Sequence, residues 1–167
     1  MKKFLNLSMI CLMAFSLCVM TSCKENGEEN KKSDGIVTEG YVDMGLPSGN
    51  IWKATNEGDK FYTFEEAKKF GKQLPDTSDY MELVRECEWT WEGNGYKIVG
   101  KNGKGMRLPA AGMELCNGDV YNIGSDGYYW TSKTLGPQYA YRFGIYKTGM
   151  NINHNDRCIK GSVRLLK

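Results

Sequence analysis

The stretch WTWEGNGYKIVGKNGKGMRLPAAG, residues 89–112, decides how the rest of the chain is read. Two Trp, one Tyr and six Gly crowd into it without a repeating unit. GYKIVG and GMRLPAA flank KNGK, whose Asn-Gly pair is a turn signal, so the segment reads as a hairpin. Upstream of it the apolar period is helical. Downstream every segment is short, aromatic or β-branched, and bounded by Gly, Asn or Asp. Residues 89–112 therefore mark the switch from one kind of structure to the other.

Working back toward the N-terminus, LPDTSDYMELVREC places Tyr80, Leu83, Val84 and Cys87 at helical spacing. Asp76 is the expected N-cap of this helix. YTFEEAKKFGKQL reads as a shorter helix from 64 to about 72, opened by a Thr63/Glu66 capping box. Before it, strands are expected at 41–44 and 51–54 around a Gly-Leu-Pro-Ser-Gly turn. Working forward, GDVYNIG, GYYWTSK, YAYRFGIY, GMNINHND and GSVRLLK read as strands or strand-like loops. Two early helices and a strand-rich second half give an α+β domain.

The first residues belong to something else. MKKFLNLSMICLMAFSLCVMTSC has a basic start, a short apolar run and small residues before Cys23. This is the layout of a secretory signal, too short and interrupted for a spanning helix. VMTSC resembles a bacterial lipobox, which implies cleavage before Cys23 and acylation of that residue. The partner so implied is a lipid bilayer, entered by the acyl chains. KENGEENKKSDG, residues 24–35, has no apolar side chain and reads as a disordered tether. Three parts are expected: a signal peptide over 1–22, a lipidated Cys and tether over 23–38, and a folded domain over 39–167. Lys24 and Glu25 look like the charged signals that send lipoproteins of Bacteroidetes to the cell surface. An outer-membrane lipoprotein is expected, at the cell surface or facing the periplasm.

Charge argues against several partners. The chain has 22 Lys+Arg and 20 Asp+Glu. Removing residues 1–22 takes Lys2 and Lys3 and no acid, which leaves a formally neutral protein. No basic surplus points to nucleic acid. Of six Cys, Cys11 and Cys18 leave with the signal and Cys23 carries lipid. Cys87, Cys116 and Cys158 remain, an odd number in a compartment that permits disulfides, and spacing does not choose among their three pairings.

The blocks YVDMGLPSGNIWKATN, LPDTSDYMELVRECEWTW, GYKIVGKNGKGMRLPAAG, GYYWTSK and GSVRL, in this order, resemble the Fibrobacter succinogenes major paralogous domain, common in lipoproteins of Bacteroidetes. The resemblance runs from about Gly40 to Leu166. It implies a C-type-lectin-like fold, with N- and C-terminal strands paired, two helices beside them, and an irregular aromatic region over a second small sheet. It pairs VDMGL with SVRLL. In such a fold the glycines supply positive-φ turns, and Trp89, Trp91, Tyr96 and Trp130 supply buried area. The family often has a Cys in the block matching WKATNEG, and this chain has none there.

Enzymatic readings find little to stand on. The only His, His154, lies four residues before Cys158, a minimal basis for nucleophilic catalysis or for zinc. No pair of acids is distinguished from surface carboxylates. The calcium motifs of true C-type lectins are missing, and QLPD at 73–76 is better explained by the helix cap. No catalytic residue, metal or cofactor is expected. The expected site is a metal-free recognition surface on YAYRFGIYKTGMNINHNDR. Asn151, Asn153 and Asn155 should share one side of an extended segment, with Met150 and Ile152 on the other. Tyr139, Tyr141, Arg142 and Tyr146 are residue types enriched at binding sites. Amides and aromatics together suit a glycan, and the same types suit a protein ligand. The other reading of the chain is a structural or assembly subunit of an envelope or adhesin complex.

Overall fold

The computed structural model describes residues 40–167. The segments expected to be a signal peptide, a lipidated Cys23 and a tether lie outside the described residues. In chain order the elements are β1 (Tyr41–Asp43), β2 (Ile51–Lys53), β3 (Tyr62–Thr63), α1 (Phe64–Lys68), a 3-10 turn (Gly71–Gln73) and α2 (Thr77–Glu86). There follow β4 (Glu88–Trp91), β5 (Gly95–Val99), β6 (Gly105–Pro109), β7 (Met113–Glu114) and β8 (Val120–Tyr121). The chain ends with β9 (Asp126–Leu135), β10 (Tyr139–Tyr146), β11 (Gly149–Asp156) and β12 (Lys160–Gly161). Two short helices followed by a strand-rich second half make this an α+β protein.

Four small antiparallel sheets carry the strands: β1-β2, β4-β5-β6, β9-β10-β11 and β3-β12-β7-β8. The hairpin expected in residues 89–112 is β5–β6, with Gly95 opposite Pro109 and Val99 opposite Gly105. Its glycines do more than turn the chain. Gly93, Gly103 and Gly112 have positive φ, as expected. Gly95, Gly100 and Gly105 do not, yet a Cβ on any of them would strike backbone: that of 108–110, of Met44 and of Ile98 respectively. Half of the glycines in the decisive stretch are there for close approach rather than for turn geometry.

The long β9–β10 ribbon separates two clusters. On one side Tyr129, Phe143 and Ile145 meet α2 and the β4–β6 sheet, with Tyr80 stacked on Phe143 at 4.6 Å between ring centroids. On the other, Trp130 and Ala140 meet Phe64, Ala67, Leu74, Val163 and Leu165. Period-2 alternation of Tyr129 and Trp130 sends one ring to each cluster. Each fully buried large side chain contributes roughly 1.5–3 kcal/mol. Of the four aromatics expected to supply burial, Trp130 and Tyr96 are buried, whereas Trp89 and Trp91 are only partly covered on the β4 edge.

Two expectations need correction. The chain closes on itself, but through β2 rather than β1. Trp52 bridges Leu166, the Lys53 N–H donates to the Leu165 carbonyl, and the Lys167 N–H donates to that of Ile51. β1 is taken up by β2, so VDMGL is one strand removed from the C-terminus. The first helix stops at Lys68, because Gly71 at φ +60 leaves the helical region. GSVRLLK takes the strand-like form that its reading allowed, leaving β12 at Gly161 and held by single bridges at Ser162 and Leu166. Among the three cysteines, Cys116 and Cys158 form a disulfide and Cys87 is a free, half-buried thiol.

Candidate functional site

The seven residues expected to recognise a ligand all lie on β10 and β11, and the register of that pair sorts them. Arg142 stands opposite Asn153, Gly144 opposite Asn151, and Ala140 opposite Asn155. Alternation therefore puts Arg142, Tyr146, Asn151, Asn153 and Asn155 on one face. Tyr139 and Tyr141 point to the other face with Phe143 and Ile145, where Tyr139 packs edge-on against His154 at 5.4 Å. The structure gathers five of the seven residues and leaves the two tyrosines on the reverse side.

Arg142 is the centre of the gathered face. It is only 8% exposed. Its guanidinium lies 4.4 Å from the ring centroid of Tyr128, a cation–π stack. Its Nε donates to Asn155 Oδ1 at 2.9 Å and its Nη1 to the Tyr146 hydroxyl at 3.2 Å. Tyr146 in turn approaches Asn151 Oδ1 at 3.5 Å and meets Tyr128 edge-on. No carboxylate of the described residues pairs with Arg142 within 4 Å. The guanidinium is thus held flat and oriented by neutral groups, with its positive charge unpaired. Such a group is ready for a carboxylate, a phosphate or an array of hydroxyls.

Residues the sequence did not single out complete the arrangement. Gly144 is essential to the geometry: a Cβ there would lie 2.5 Å from Arg142 Nη1, 2.6 Å from the Tyr146 hydroxyl and 2.9 Å from Asn151 Oδ1. Tyr128 is fixed from below by Asp126, which accepts its hydroxyl proton at 2.9 Å, and by the Asn122 amide at 3.0 Å. Burial, foremost, pushes the Tyr128 phenol up to about 12. Asn122 holds φ at +63, the one non-glycine residue of the described chain in the left-handed region. Its side chain spans Asp126 and Tyr128, which is the local bond that makes this conformation tolerable for Asn. The signal for Tyr128 was available in GYYWTSK, but which tyrosine faces Arg142 depends on β9–β10 register, which periodicity does not give.

The face continues into two neighbouring features. A cavity of about 410 Å³ opens between Trp91, Ser125, Asp126, Tyr146 and Thr148. Beside it β8 and the loop that follows expose Val120, Tyr121 and Ile123, the last at 70%. Aromatic walls, hydroxyls and one carboxylate are the groups that meet sugar rings and their hydroxyls.

Cys158 is in a disulfide and has no thiol to offer His154. Cys116, Asp156 and Cys158 are the described group of ligand-type side chains that come within 4.8 Å of one another, and two of the three are the disulfide itself. The free Cys87 is desolvated, and its thiol is pushed up to about 11, which makes it a poor nucleophile. No helix of the described residues is long and apolar enough to cross a membrane. No protein-family model, curated protein or solved structure matches the chain.

Proposed function

We propose that the chain is a cell-envelope lipoprotein whose folded part is a non-catalytic, C-type-lectin-like binding domain of the Fibrobacter succinogenes major paralogous type, and that its ligand is an extracellular glycan held on the Arg142 face. The observation that carries the binding reading is Arg142 itself. A nearly buried guanidinium, stacked on Tyr128 and oriented by Asn155 and Tyr146, has no carboxylate partner among the described residues. Desolvating such a charge costs stability, and the fold recovers none of it through an ion pair. A ligand group that completes the arrangement explains the expense. Flanking amides of Asn151 and Asn153 and the Trp91–Tyr146 cavity add hydrogen bonds and ring surface. The lipoprotein part of the proposal rests on VMTSC and the tether: acylated Cys23 anchors the protein in the outer membrane, and Lys24 and Glu25 place it at the cell surface.

A glycan and mucin array probed with the full-length chain in non-ionic detergent, with and without chelator, tests the reading. Binding is expected to survive chelation. Arg142→Gln should weaken it by about 2 kcal/mol, roughly 30-fold in Kd, as an oriented arginine at the middle of a binding face does. Binding that disappears with chelator, or that ignores Arg142→Gln, contradicts this account. The exposed Val120, Tyr121 and Ile123 favour a second reading, a protein ligand or an assembly contact with another envelope protein. A silent array combined with specific, Arg142-dependent capture of one envelope protein would select it.

A further inference from the structure

Arg164 is a second arginine without a counter-ion, and it is more deeply buried than Arg142. None of its surface is exposed. Its Nη1 donates to the Lys53 carbonyl at 2.9 Å, and its Nη2 to Asn56 Oδ1 at 2.7 Å and to the Arg107 carbonyl at 2.8 Å. All three acceptors are neutral. Its Nε has no partner, and neither does the nearby Tyr80 hydroxyl. No carboxylate of the described residues lies within ion-pair distance. Burial, foremost, lowers the Arg164 pKa, as it must for an isolated charge.

This charge forms part of the lining of a cavity of about 750 Å³, between the segment 53–61, β6 with its following turn, and the C-terminal chain. Lys53, Lys60 and Arg107 share that lining, against the single carboxylate of Asp59. Lys53 is already neutralised by Glu57. Lys60 lies over the Tyr62 ring and, among the described residues, makes no ion pair within 4 Å, although Glu66 feels its charge. Arg107 is exposed and donates only to the Glu92 carbonyl and to Asn94 Oδ1. Three cationic residues that make no ion pair among the described residues, Lys60, Arg107 and Arg164, therefore line one concave, low-dielectric wall. That geometry focuses positive potential into the cavity. Its volume falls in the ordinary range for small-ligand sites. The apolar parts of the wall, Ala54, Phe61, Pro109 and Ala111, strip water from whatever enters and so strengthen the field.

We propose that this cavity is a second binding site, separate from the Arg142 face, for a small organic or inorganic anion carrying a carboxylate or a phosphate group. Lys60 and Arg107 engage the anion at the mouth, and Arg164 is the fixed charge at its floor. Arg164 does not move toward the ligand. Its bonds to Lys53, Asn56 and Arg107 hold three walls in register, and its field is felt across them. A uronic-acid residue and free phosphate share the required chemistry.

Thermal unfolding of the full-length chain in non-ionic detergent distinguishes them. Tm is measured against increasing sodium glucuronate, sodium phosphate, and sodium chloride at matched ionic strength, with glucose as the neutral control. A saturable rise of several degrees with glucuronate or phosphate, beyond the chloride series, is expected once the anion exceeds its Kd about 100-fold. The responding series identifies the source of the anion. The rise should vanish in the Lys60→Gln/Arg107→Gln double variant, whose substitutions are at exposed positions. It should persist in Arg142→Gln, because the two sites share no residue. A Tm that follows ionic strength alone overturns the proposal, as does a shift that the double variant leaves intact. Loss of glycan binding in Arg142→Gln with the anion shift unchanged would uphold both sites independently. Failure of either assay touches only its own site.

Discussion

Gly144 and Gly100 are both buried, and neither has room for a Cβ, but the atoms in the way differ. At Gly144 they are the ends of three side chains, Arg142, Tyr146 and Asn151, which can swing aside. At Gly100 they are the carbonyl group and Cα of Met44, which cannot move without dragging β1. Gly144→Ala is therefore expected to cost less than about 1 kcal/mol of stability while displacing the Arg142 guanidinium and lowering glycan affinity. Gly100→Ala should cost about 3 kcal/mol or more through backbone overlap. Urea unfolding beside a binding titration separates the two. Equal stability losses would show that the Arg142 face is as rigid as the backbone. The residue types at this face were legible in the sequence, since Arg142, Tyr146 and the three asparagines stand out as polar and aromatic groups on adjacent strands. Gly144 and Tyr128 were not, because their importance comes from what lies across the sheet. Tyr139 and Tyr141 fall on the reverse face for a related reason: they share a residue type with Tyr146 but not its parity along β10.

At the scale of elements, local chemistry was readable and partner choice was not. The α2 N-cap formed as the sequence implies, with Asp76 accepting from the Ser78 N–H, and the structure adds a return bond in which Asp79 accepts from the Asp76 N–H at 2.7 Å. The side-chain bond from Ser78, foremost, holds the Asp76 carboxyl below its ordinary range. Asp76→Ala should destabilise the protein by about 1 kcal/mol at pH 7. A depressed carboxylate contributes stability that is present above its unfolded pKa and lost as pH falls through the folded value. The difference between the two proteins in urea midpoint should accordingly shrink below about pH 4. A penalty that is the same at pH 7 and pH 2.5 would assign the role of Asp76 to packing instead of charge. The same locality explains α1, which is legible through Thr63 and Glu66 and ends early at Gly71. It also explains why the β2 closure was read one strand out. Both β1 and β2 carry the apolar middle residue that such a pairing needs, Val42 and Trp52, and nothing within either strand says which one meets Leu166.

Across the whole molecule, buried phenols and one thiol face the same problem: their charged forms have no place in the interior. Burial, foremost, raises the phenol of Tyr129 to about 12 and that of Tyr80 well above its ordinary value, and Cys87 to about 11. In the unfolded chain these groups ionise near pH 8.5 for Cys and about 10 for Tyr. A group whose folded pKa is raised contributes stability that is intact below the unfolded pKa and is lost as pH rises toward the folded one. The urea midpoint should thus hold steady to about pH 8.5 and then fall continuously to about pH 12, a wider alkaline limb than surface tyrosines would produce. Tyr80 allows the cause to be isolated. Its ring stacks on Phe143 and touches Trp52, whereas its hydroxyl donates to nothing. Tyr80→Phe keeps the ring and removes an unsatisfied donor. It is expected to be neutral or stabilising by up to about 1 kcal/mol at pH 7 and to flatten the alkaline limb. Arg164 sharpens the test, because its nearby charge is the one influence that lowers the Tyr80 pKa. If Tyr80→Phe instead destabilises the protein by more than about 1 kcal/mol at pH 7, the hydroxyl has a partner, such as an ordered water shared with the Arg164 Nε. The polar groups beneath the anion cavity would then form a hydrated network, and the alkaline limb would belong to Tyr129 and Cys87 alone.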